Sequence, residues 1–172
     1  GSLALGDPAA EMPACILALG AELELSAADG TRRVAADDFF LGLYETALRP
    51  DEVLTAIYIL KARATQVHAI DEVARRRGDF ALAGLVISGD AVGGALKSVR
   101  MAYFGVADRP VLATSAMAVL ESQPLATELV QKVRDAVMGA LEQPDDPEMS
   151  TAYRRHPGAG PAVRLQWHTV RL

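Results

Sequence analysis

The chain has 172 residues, of which 51% are hydrophobic and 23% are charged, and its formal net charge at pH 7 is -5. This composition is typical of a globular protein with a real core, and the length suffices for one ordinary domain or two small ones. The acidic balance argues against nucleic acid or an anionic membrane surface as the main partner.

Two further features of the composition limit the class of protein. No apolar run reaches the roughly 18 residues that a bilayer-spanning helix needs, and the opening residues lack the pattern of a signal peptide. A single cysteine, Cys15, excludes an internal disulfide framework and any cysteine-ligated metal site carried by this chain alone. A reducing, cytoplasmic location fits this cysteine usage best.

The first predicted element is a helix that follows a glycine-containing turn. Asp7 is predicted as its N-cap and Pro8 as its first residue, the usual order at a helix start. Gly20 is predicted to end it. The buried face is expected to carry four apolar residues at helical spacing: Met12, Cys15, Ile16 and Leu19. A helix N-terminus of this kind favours an anion, although a plain capped helix explains the same residues.

Strands are predicted next. Leu23 and Leu25 alternate with glutamates, which indicates a half-buried strand, and the turn at Asp29-Gly30 leads into a returning strand over 31–34. Residues 36–41 are expected to form a short helical turn that buries two phenylalanines. The run 53–60 is apolar on both faces, which predicts a central strand rather than an edge strand.

The second half of the chain is predicted to begin with three more strands and to end with helices. The strands are expected over 65–73, 80–87 and 97–104, with a loop over 88–94 between the last two. Arg75 to Arg77 are most simply a solvated turn. Pro110 is expected to open a helix with Leu112, Ala116 and Val119 on one face. After Pro124 a second helix is expected, with five apolar residues at helical spacing: Leu129, Val130, Val133, Val137 and Leu141.

The tail departs from this pattern. The run from Ser150 to His156 has the character of a helix start, but Pro157-Gly158-Ala159-Gly160-Pro161 cannot continue a helix. The hypothesis is that the natural chain is altered after His156, by a shifted reading frame or a truncation. Resequencing the coding DNA around this codon tests it, and an intact frame would contradict it.

Common catalytic and metal-binding patterns are missing from the sequence. His68, His156 and His168 are scattered without the spacing of metal ligands, so no metal site is predicted. There is no nucleophile elbow, no complete Rossmann fingerprint and no P-loop, and Cys15 is expected to be an inert, buried thiol. No residue is therefore predicted to be catalytic.

Four collinear segments carry a resemblance to a known family. They are Gly1-Ser2-Leu3-Ala4-Leu5-Gly6-Asp7-Pro8-Ala9-Ala10-Glu11, the stretch from Phe39-Phe40-Leu41-Gly42 through Leu54, the run Glu72 to Ala81 with Arg75-Arg76-Arg77-Gly78-Asp79-Phe80, and Phe104-Gly105-Val106-Ala107-Asp108-Arg109-Pro110. Together they resemble the medium, FAD-carrying subunit of molybdenum hydroxylases, the group of aerobic carbon monoxide dehydrogenase and xanthine dehydrogenase. The resemblance covers roughly residues 1 to 155.

The resemblance implies a set of flavin-binding residues. Gly1 and Ser2 would belong to the turn on the pyrophosphate or ribityl side, and Glu11 would bind hydroxyl groups of the cofactor. Leu54 would pack on the flavin, although an ordinary core position explains it equally well. Asp71 would lie near the edge of the isoalloxazine ring. The preceding residue is often aromatic in the family and shields the ring, whereas here it is Ile70.

The resemblance also implies the fold and the organisation of the chain. The expected fold class is α+β, with a second FAD-binding subdomain of a small mixed sheet and helices, followed by an antiparallel sheet with helices. The expected units are 1–78, the second half of an FAD-binding domain, and 79–156, the C-terminal domain of the medium subunit, followed by an atypical tail over 157–172. The upstream Ala-Gly-Gly-x-Ser loop of the family is missing, so the sequence is expected to be an N-terminally truncated subunit whose affinity for FAD is weakened.

In the family, FAD passes electrons from iron–sulfur clusters of a small subunit to an external acceptor. A molybdopterin cofactor in a large subunit supplies electrons to those clusters. The resemblance therefore implies an electron-transfer component of an oxidoreductase, with the small iron–sulfur subunit and the large molybdopterin subunit as partners, and the fragment alone is expected to be inactive. The alternative is a non-catalytic docking module that binds no cofactor by itself.

Overall fold

The computed structural model describes residues 1–76 and 78–140 of the chain, and it contains four helices, one 3-10 turn and nine strands in those ranges. The helices are α1 (Ser2–Leu5), α2 (Glu11–Ala18), α3 (Thr114–Leu120) and α4 (Thr127–Ala140), and the 3-10 turn is Ala36–Asp38. The strands are β1 (Glu22–Ala27), β2 (Gly30–Ala35), β3 (Phe40–Gly42), β4 (Glu45–Thr46), β5 (Val53–Tyr58), β6 (Gln66–Ala74), β7 (Ala81–Val92), β8 (Ala95–Phe104) and β9 (Val111–Leu112).

The first sheet is antiparallel, with β1 between β2 and β5. Leu23 and Leu25 of β1 are fully buried, as their alternation with glutamates predicts. The prediction of a central position for the 53–60 run is wrong, because among residues 1–76 and 78–140 β5 pairs only with β1 and forms an edge. Several of its apolar side chains are also exposed, with Val53 at 65% and Ile57 at 37%.

The second sheet is also antiparallel and has the order β6-β7-β8-β9. Strand β7 continues to Val92, so the loop predicted over 88–94 is shorter than expected and consists of the turn at Gly93 and Gly94. The two buried polar residues of this strand, Ser88 and Asp90, have partners on neighbouring segments. Because Ser88 and Asp90 are polar, this end of the strand was predicted as a loop.

Helices cover one face of the second sheet. Leu129, Val133 and Val137 of α4 are buried, which confirms the predicted apolar face as far as the described residues go; Leu141 lies outside them, as does the tail with its proposed alteration. The prediction that Pro110 opens a helix is wrong. Leu112 belongs to β9 and pairs with Ala102, so the helix begins only at Thr114.

Two hydrophobic cores use opposite faces of the second sheet. One lies between this sheet and helices α3 and α4, and it includes Leu85, Met101 and Tyr103. The other contains residues of α2, β1 and the 3-10 turn together with Val86 and Phe104 of the second sheet. The first half of the chain therefore shares a core with the second half.

These elements confirm the α+β class with antiparallel sheets and helices. Strand β6 precedes residue 78 but pairs along its whole length with β7, which follows it. The division of the chain at residue 78 stays a prediction.

Candidate functional site

The opening stretch differs from the prediction in where its helix begins. Residues Ser2–Leu5 form a short helix of their own, which Gly6 ends in the left-handed conformation with φ of 68°. The Asp7 carboxylate accepts a hydrogen bond from the backbone N–H of Ala9 at 3.0 Å. Helix α2 then begins at Glu11 with Ala10 at the N-cap position. Asp7 is therefore a turn residue rather than the helix cap, and Pro8 lies outside the helix.

The buried face of α2 differs from the prediction for the same reason. Met12 is 49% exposed, whereas Pro13, Ala14, Ile16, Leu17 and Ala18 are buried. A start three residues later than predicted leaves only two helical turns, and the residues that pack on the sheet are mostly small. Gly20 has φ of 60° just after the C-cap Leu19, so the predicted helix end is confirmed.

Hydrogen bonds from strand β8 and from the residue that follows it reach both ends of this stretch. Near the helix start, the N–H of Gly105 donates to the carbonyl of Pro8 at 2.7 Å. At the helix end, Nε and Nη2 of Arg100 donate to the carbonyl of Leu17 at 3.0 and 2.8 Å. Arg100 also forms an ion pair with Asp37 in the 3-10 turn. The position of α2 is therefore set by long-range contacts to the second sheet.

Gly1 and Ser2 lie at the N-terminus of the short helix α1. Gly1 is exposed and Ser2 is half-buried. A Cβ added at Gly1 would meet no atom of the described residues within 4 Å. The hydroxyl of Ser2 makes no hydrogen bond to another residue within 1–76 and 78–140.

Glu11, the first residue of α2, faces strand β6. Its side chain is exposed, and among the described residues it forms no hydrogen bond or ion pair. The pKa of Glu72 is raised, chiefly by desolvation and then by the charges of Glu11 and Asp71. The pKa of Cys15 is raised by burial and by Glu11. The charge of Glu11 therefore acts on both Glu72 and Cys15.

Asp71 lies on β6, beside Glu72 but on the other face of the strand. Val67 and Ala69 pack against the core under α3 and α4. Asp71 lies on the same face of β6 as these two residues, because successive side chains of a strand alternate between its faces. Its carboxylate accepts a hydrogen bond from the N–H of Glu72 at 3.0 Å. Glu72 shares the Glu11 side of the sheet, and the alternation along β6 is the sequence signal that could have identified it. A flavin contact for Asp71 stays a prediction.

Leu54 lies on β5 opposite Leu25 of β1 and is half-buried against the core that contains α2. An irregularity between Glu24 and Leu25 shifts the register, so that Leu54 pairs with Leu25 and Ile57 pairs with Leu23. Leu54 is therefore an apolar side chain at the partly open margin of this core.

An ion pair fixes the loop just before Leu54. Arg32 of β2 donates from Nε and Nη2 to the two carboxylate oxygens of Glu52 at 2.6 and 2.8 Å, and Nη2 also donates to the carbonyl of Ala47. The N–H of Arg49 donates to the same carboxylate at 2.8 Å. These bonds lower the pKa of Glu52 to about 2, with the Arg32 hydrogen bond as the main cause. The start of β5 is thereby tied to β2.

A cleft of about 690 Å³ opens beyond the C-terminal end of α2. Its walls are the end of α2, the segment from Ile59 to Arg63, and the facing side of strands β6, β7 and β8. None of the five predicted site residues lines it. Sequence reasoning did not identify this cleft, because its walls come from segments that are far apart along the chain.

Two kinds of site are missing from the part of the chain that the structure describes. In residues 1–76 and 78–140, no group of three or more His, Cys, Asp or Glu side chains is placed to hold a metal ion. No helix within those ranges has both the length and the apolar character needed to cross a membrane.

Two family descriptions match successive stretches of the chain. "FAD binding domain in molybdopterin dehydrogenase" matches residues 1–59, and "CO dehydrogenase flavoprotein C-terminal domain" matches residues 68–165. Among curated relatives, the carbon monoxide dehydrogenase medium chain of Afipia carboxidovorans is 34% identical over 164 residues, which cover 95% of this chain and 57% of that protein. The glyceraldehyde dehydrogenase medium chain of Sulfolobus acidocaldarius is 32% identical over 155 residues, which cover 90% of this chain and 55% of that protein.

Solved structures agree with these relatives. A carbon monoxide dehydrogenase from Hydrogenophaga pseudoflava, in a form that lacks the Mo-pyranopterin moiety of its cofactor, superposes with a TM-score of 0.90 at 32% identity, covering 95% of this chain and 57% of that chain. Quinoline 2-oxidoreductase from Pseudomonas putida 86 gives a TM-score of 0.90 at 30% identity, covering 99% of this chain and 59% of that chain. The chain therefore spans a little over half the length of these relatives.

Proposed function

Since the chain belongs to the family of FAD-carrying medium subunits of molybdenum hydroxylases, we propose that it holds FAD as the electron-transfer part of such an oxidoreductase. The observation that carries the proposal is the order of the two family matches, with an FAD-binding stretch followed directly by a carbon monoxide dehydrogenase flavoprotein stretch.

The chemistry of the predicted residues fits a flavin dinucleotide. Its hydroxyl groups need acceptors, its phosphates need donors and its ring needs apolar walls. The Glu11 carboxylate and the Ser2 hydroxyl have no hydrogen-bond partners among the described residues, and Leu54 offers a half-buried apolar side chain. Groups of all three required kinds are therefore available for a ligand.

We assign the roles of these residues accordingly. Gly1 and Ser2 would donate to the pyrophosphate or ribityl side, Glu11 would accept hydrogen bonds from hydroxyl groups, and Leu54 would pack against the ring. Asp71 would lie near the ring edge. When bound, FAD supplies the capacity to accept electrons and pass them on, and the protein positions it without supplying a nucleophile or a base.

The partners follow from the same proposal. A small iron–sulfur subunit would deliver electrons, a large molybdopterin subunit would carry the substrate chemistry, and the flavin would pass electrons to an external acceptor in the cytoplasm. The substrate would be decided in the large subunit. The chain by itself would be inactive, since it would lack both of these partners.

The second candidate is a docking module that binds no cofactor. The observation in its favour is that none of the five residues assigned to FAD lines the cleft of about 690 Å³.

The test is the flavin content of the purified full-length protein. We expect a yellow protein with flavin absorbance, and we expect Glu11→Gln to weaken FAD binding by about tenfold, the cost of about 1.4 kcal/mol for one hydrogen bond to a charged group. Ser2→Ala should weaken binding further. Glu128→Gln is the matched control, since Glu128 is also a first-turn helix carboxylate, in α4.

Two outcomes would contradict the assignment. Equal FAD affinity in the wild type and in the Glu11→Gln, Ser2→Ala double variant would remove these residues from the site. A colourless wild-type protein that still copurifies with iron–sulfur and molybdenum subunits would support the docking module instead.

A further inference from the structure

The cleft beyond the end of α2 has the size and shape of a small-molecule site. Its volume of about 690 Å³ lies within the range of roughly 300–1,000 Å³ that is usual for ligand pockets. None of the five residues assigned to FAD lines it, although Ile70, which stands where the family often has a ring-shielding aromatic residue, does. Any ligand of this cleft would be bound in addition to FAD.

The walls of the cleft are largely apolar. Ile59 and Leu60 come from the segment between the two sheets, and Ile70 and Val86 come from β6 and β7. Ile59 is 49% exposed and Ile70 is 50% exposed, so water contacts these side chains directly. Burying them against an apolar ligand would be favourable.

The charged groups of the cleft all have one sign. Arg63 and Arg100 line it together with His68, and none of its lining residues is an aspartate or glutamate. The whole chain has the opposite balance, with 22 acidic against 17 basic residues. The charge of the cleft lining is therefore opposite in sign to the net charge of the chain.

Both guanidinium groups keep donors for a ligand. Arg63 binds Asp90 through Nε and Nη2, while Arg100 uses Nε and Nη2 for Leu17 and Asp37. In each case Nη1 donates to no other residue of the described ranges, and the paired carboxylates are not part of the lining. The aspartates therefore orient the two guanidinium groups without closing the cleft to an anion.

The carbonyl end of α2 would repel an anion if it were bare, but three of its carbonyl groups are already bonded. Those of Cys15, Ile16 and Leu17 accept the N–H groups of Leu19, Ala21 and Gly20, and Leu17 also accepts Arg100. The positive charge of Arg100 offsets the negative end of the helix dipole.

We propose that this cleft binds a small organic anion with an apolar body, a carboxylate or sulfonate. The anionic group would be bound by Arg63 and Arg100, and the body would pack against Ile59, Ile70 and Val86. This binding site goes beyond the proposed function and requires no chemistry on the ligand.

The test compares two fluorescent probes on the full-length protein. Anilinonaphthalene sulfonate has an aromatic body with an anionic group, and phenylnaphthylamine has a similar body without the charge. We expect saturable binding of the sulfonate that benzoate displaces, and at least about tenfold weaker binding of the neutral probe. Equal affinity for both probes would overturn the proposal.

Substitutions that introduce a charge at Ile70 test whether the sulfonate probe binds in the cleft. Ile70→Glu places a carboxylate in the cleft and should weaken sulfonate binding about tenfold or more, Ile70→Lys should strengthen it, and Ile70→Gln should fall between them. Phe80→Glu and Phe80→Lys are the matched controls, because Phe80 is 72% exposed and lies outside the cleft. Far-ultraviolet circular dichroism checks that each variant is folded.

Two results would overturn the assignment to this cleft. The first is an equal effect of the same charge at positions 70 and 80, which would mean that the probe responds to net charge alone. The second is stoichiometric displacement of the probe by FAD, which would make the cleft part of the flavin site. Loss of FAD binding in Glu11→Gln with unchanged probe binding would support two separate sites.

Discussion

Tyr103 is the residue whose surroundings least suit its chemistry. It is fully buried in the core between the second sheet and α3 and α4, and its hydroxyl has no hydrogen-bond partner in the structure as described. Burial raises the pKa of this phenol. A buried hydroxyl without a partner costs folding free energy, because it gives up its hydrogen bonds to water.

Removal of this hydroxyl should stabilise the protein. We expect Tyr103→Phe to raise the free energy of unfolding by about 1 kcal/mol, since the ring keeps its packing and the desolvation cost disappears. Urea denaturation measures the change. Tyr58→Phe is the control with the opposite sign, because the hydroxyl of Tyr58 donates to Glu24 at 2.7 Å. A loss of stability in Tyr103→Phe would mean that the hydroxyl has a partner in solution.

At the scale of elements, the ion pair between Arg32 and Glu52 connects two strands that do not pair with each other. Arg32 lies on β2 and Glu52 just precedes β5, at the two edges of the first sheet. The same carboxylate holds the backbone at Arg49. The loop that leads to Leu54 is therefore held by one carboxylate in its charged form.

The stability of this connection should depend on pH in the acid range. Because the folded-state pKa of Glu52 is lowered from 4.5 to about 2, its contribution is complete above the unfolded pKa and is lost as the pH falls toward 2. We expect wild type to be more stable than Glu52→Gln above about pH 5, and the difference to narrow between about pH 4.5 and 2. Unfolding in urea over this range measures it.

The matching variant is Arg32→Gln, which removes the other partner. It should abolish most of the same acid dependence, because the Arg32 hydrogen bond is the main cause of the lowered pKa. A difference between wild type and Glu52→Gln that stays constant from pH 6 to 2 would contradict the argument.

At the scale of the whole molecule, the shared core joins the two halves of the chain. Val86, Ala102 and Phe104 of the second sheet pack in the same core as α2 and β1. Phe104 lies over Gly84 on the neighbouring strand so closely that an added Cβ would come within 2.0 Å of its ring. Position 84 therefore has room only for glycine beside Phe104, a residue of the core that both halves share.

This arrangement predicts one cooperative unfolding transition. The calorimetric and van't Hoff enthalpies should agree, and Arg100→Leu should lower the midpoint without splitting the transition, because it removes a link between β8 and α2. Arg109→Leu is the control, since Arg109 also donates to a carbonyl, that of Leu41, but from the surface. Two resolved transitions in the wild type would contradict a shared core.

The candidate site could be predicted from the sequence only in part. The motif that begins at Gly1 indicated the family, but the helix predicted to begin at Pro8 begins at Glu11. The nearby Glu72 and the cleft beside Ile70 were not foreseen, because each depends on where strand β6 lies relative to α2. Such contacts join residues about sixty positions apart, and no local pattern encodes them.

The sequence by itself determined the elements whose signal is local. The alternation at Leu23 and Leu25 predicted β1, the glycine at position 20 predicted the end of α2, and the spacing of Leu129 and Val133 predicted α4, because burial on one face repeats with the period of the backbone. Only the tertiary structure decided that β5 is an edge and that β7 runs past Asp90. Strand neighbours and the partners of buried polar groups come from distant segments, so their free energies appear only when the chain is packed.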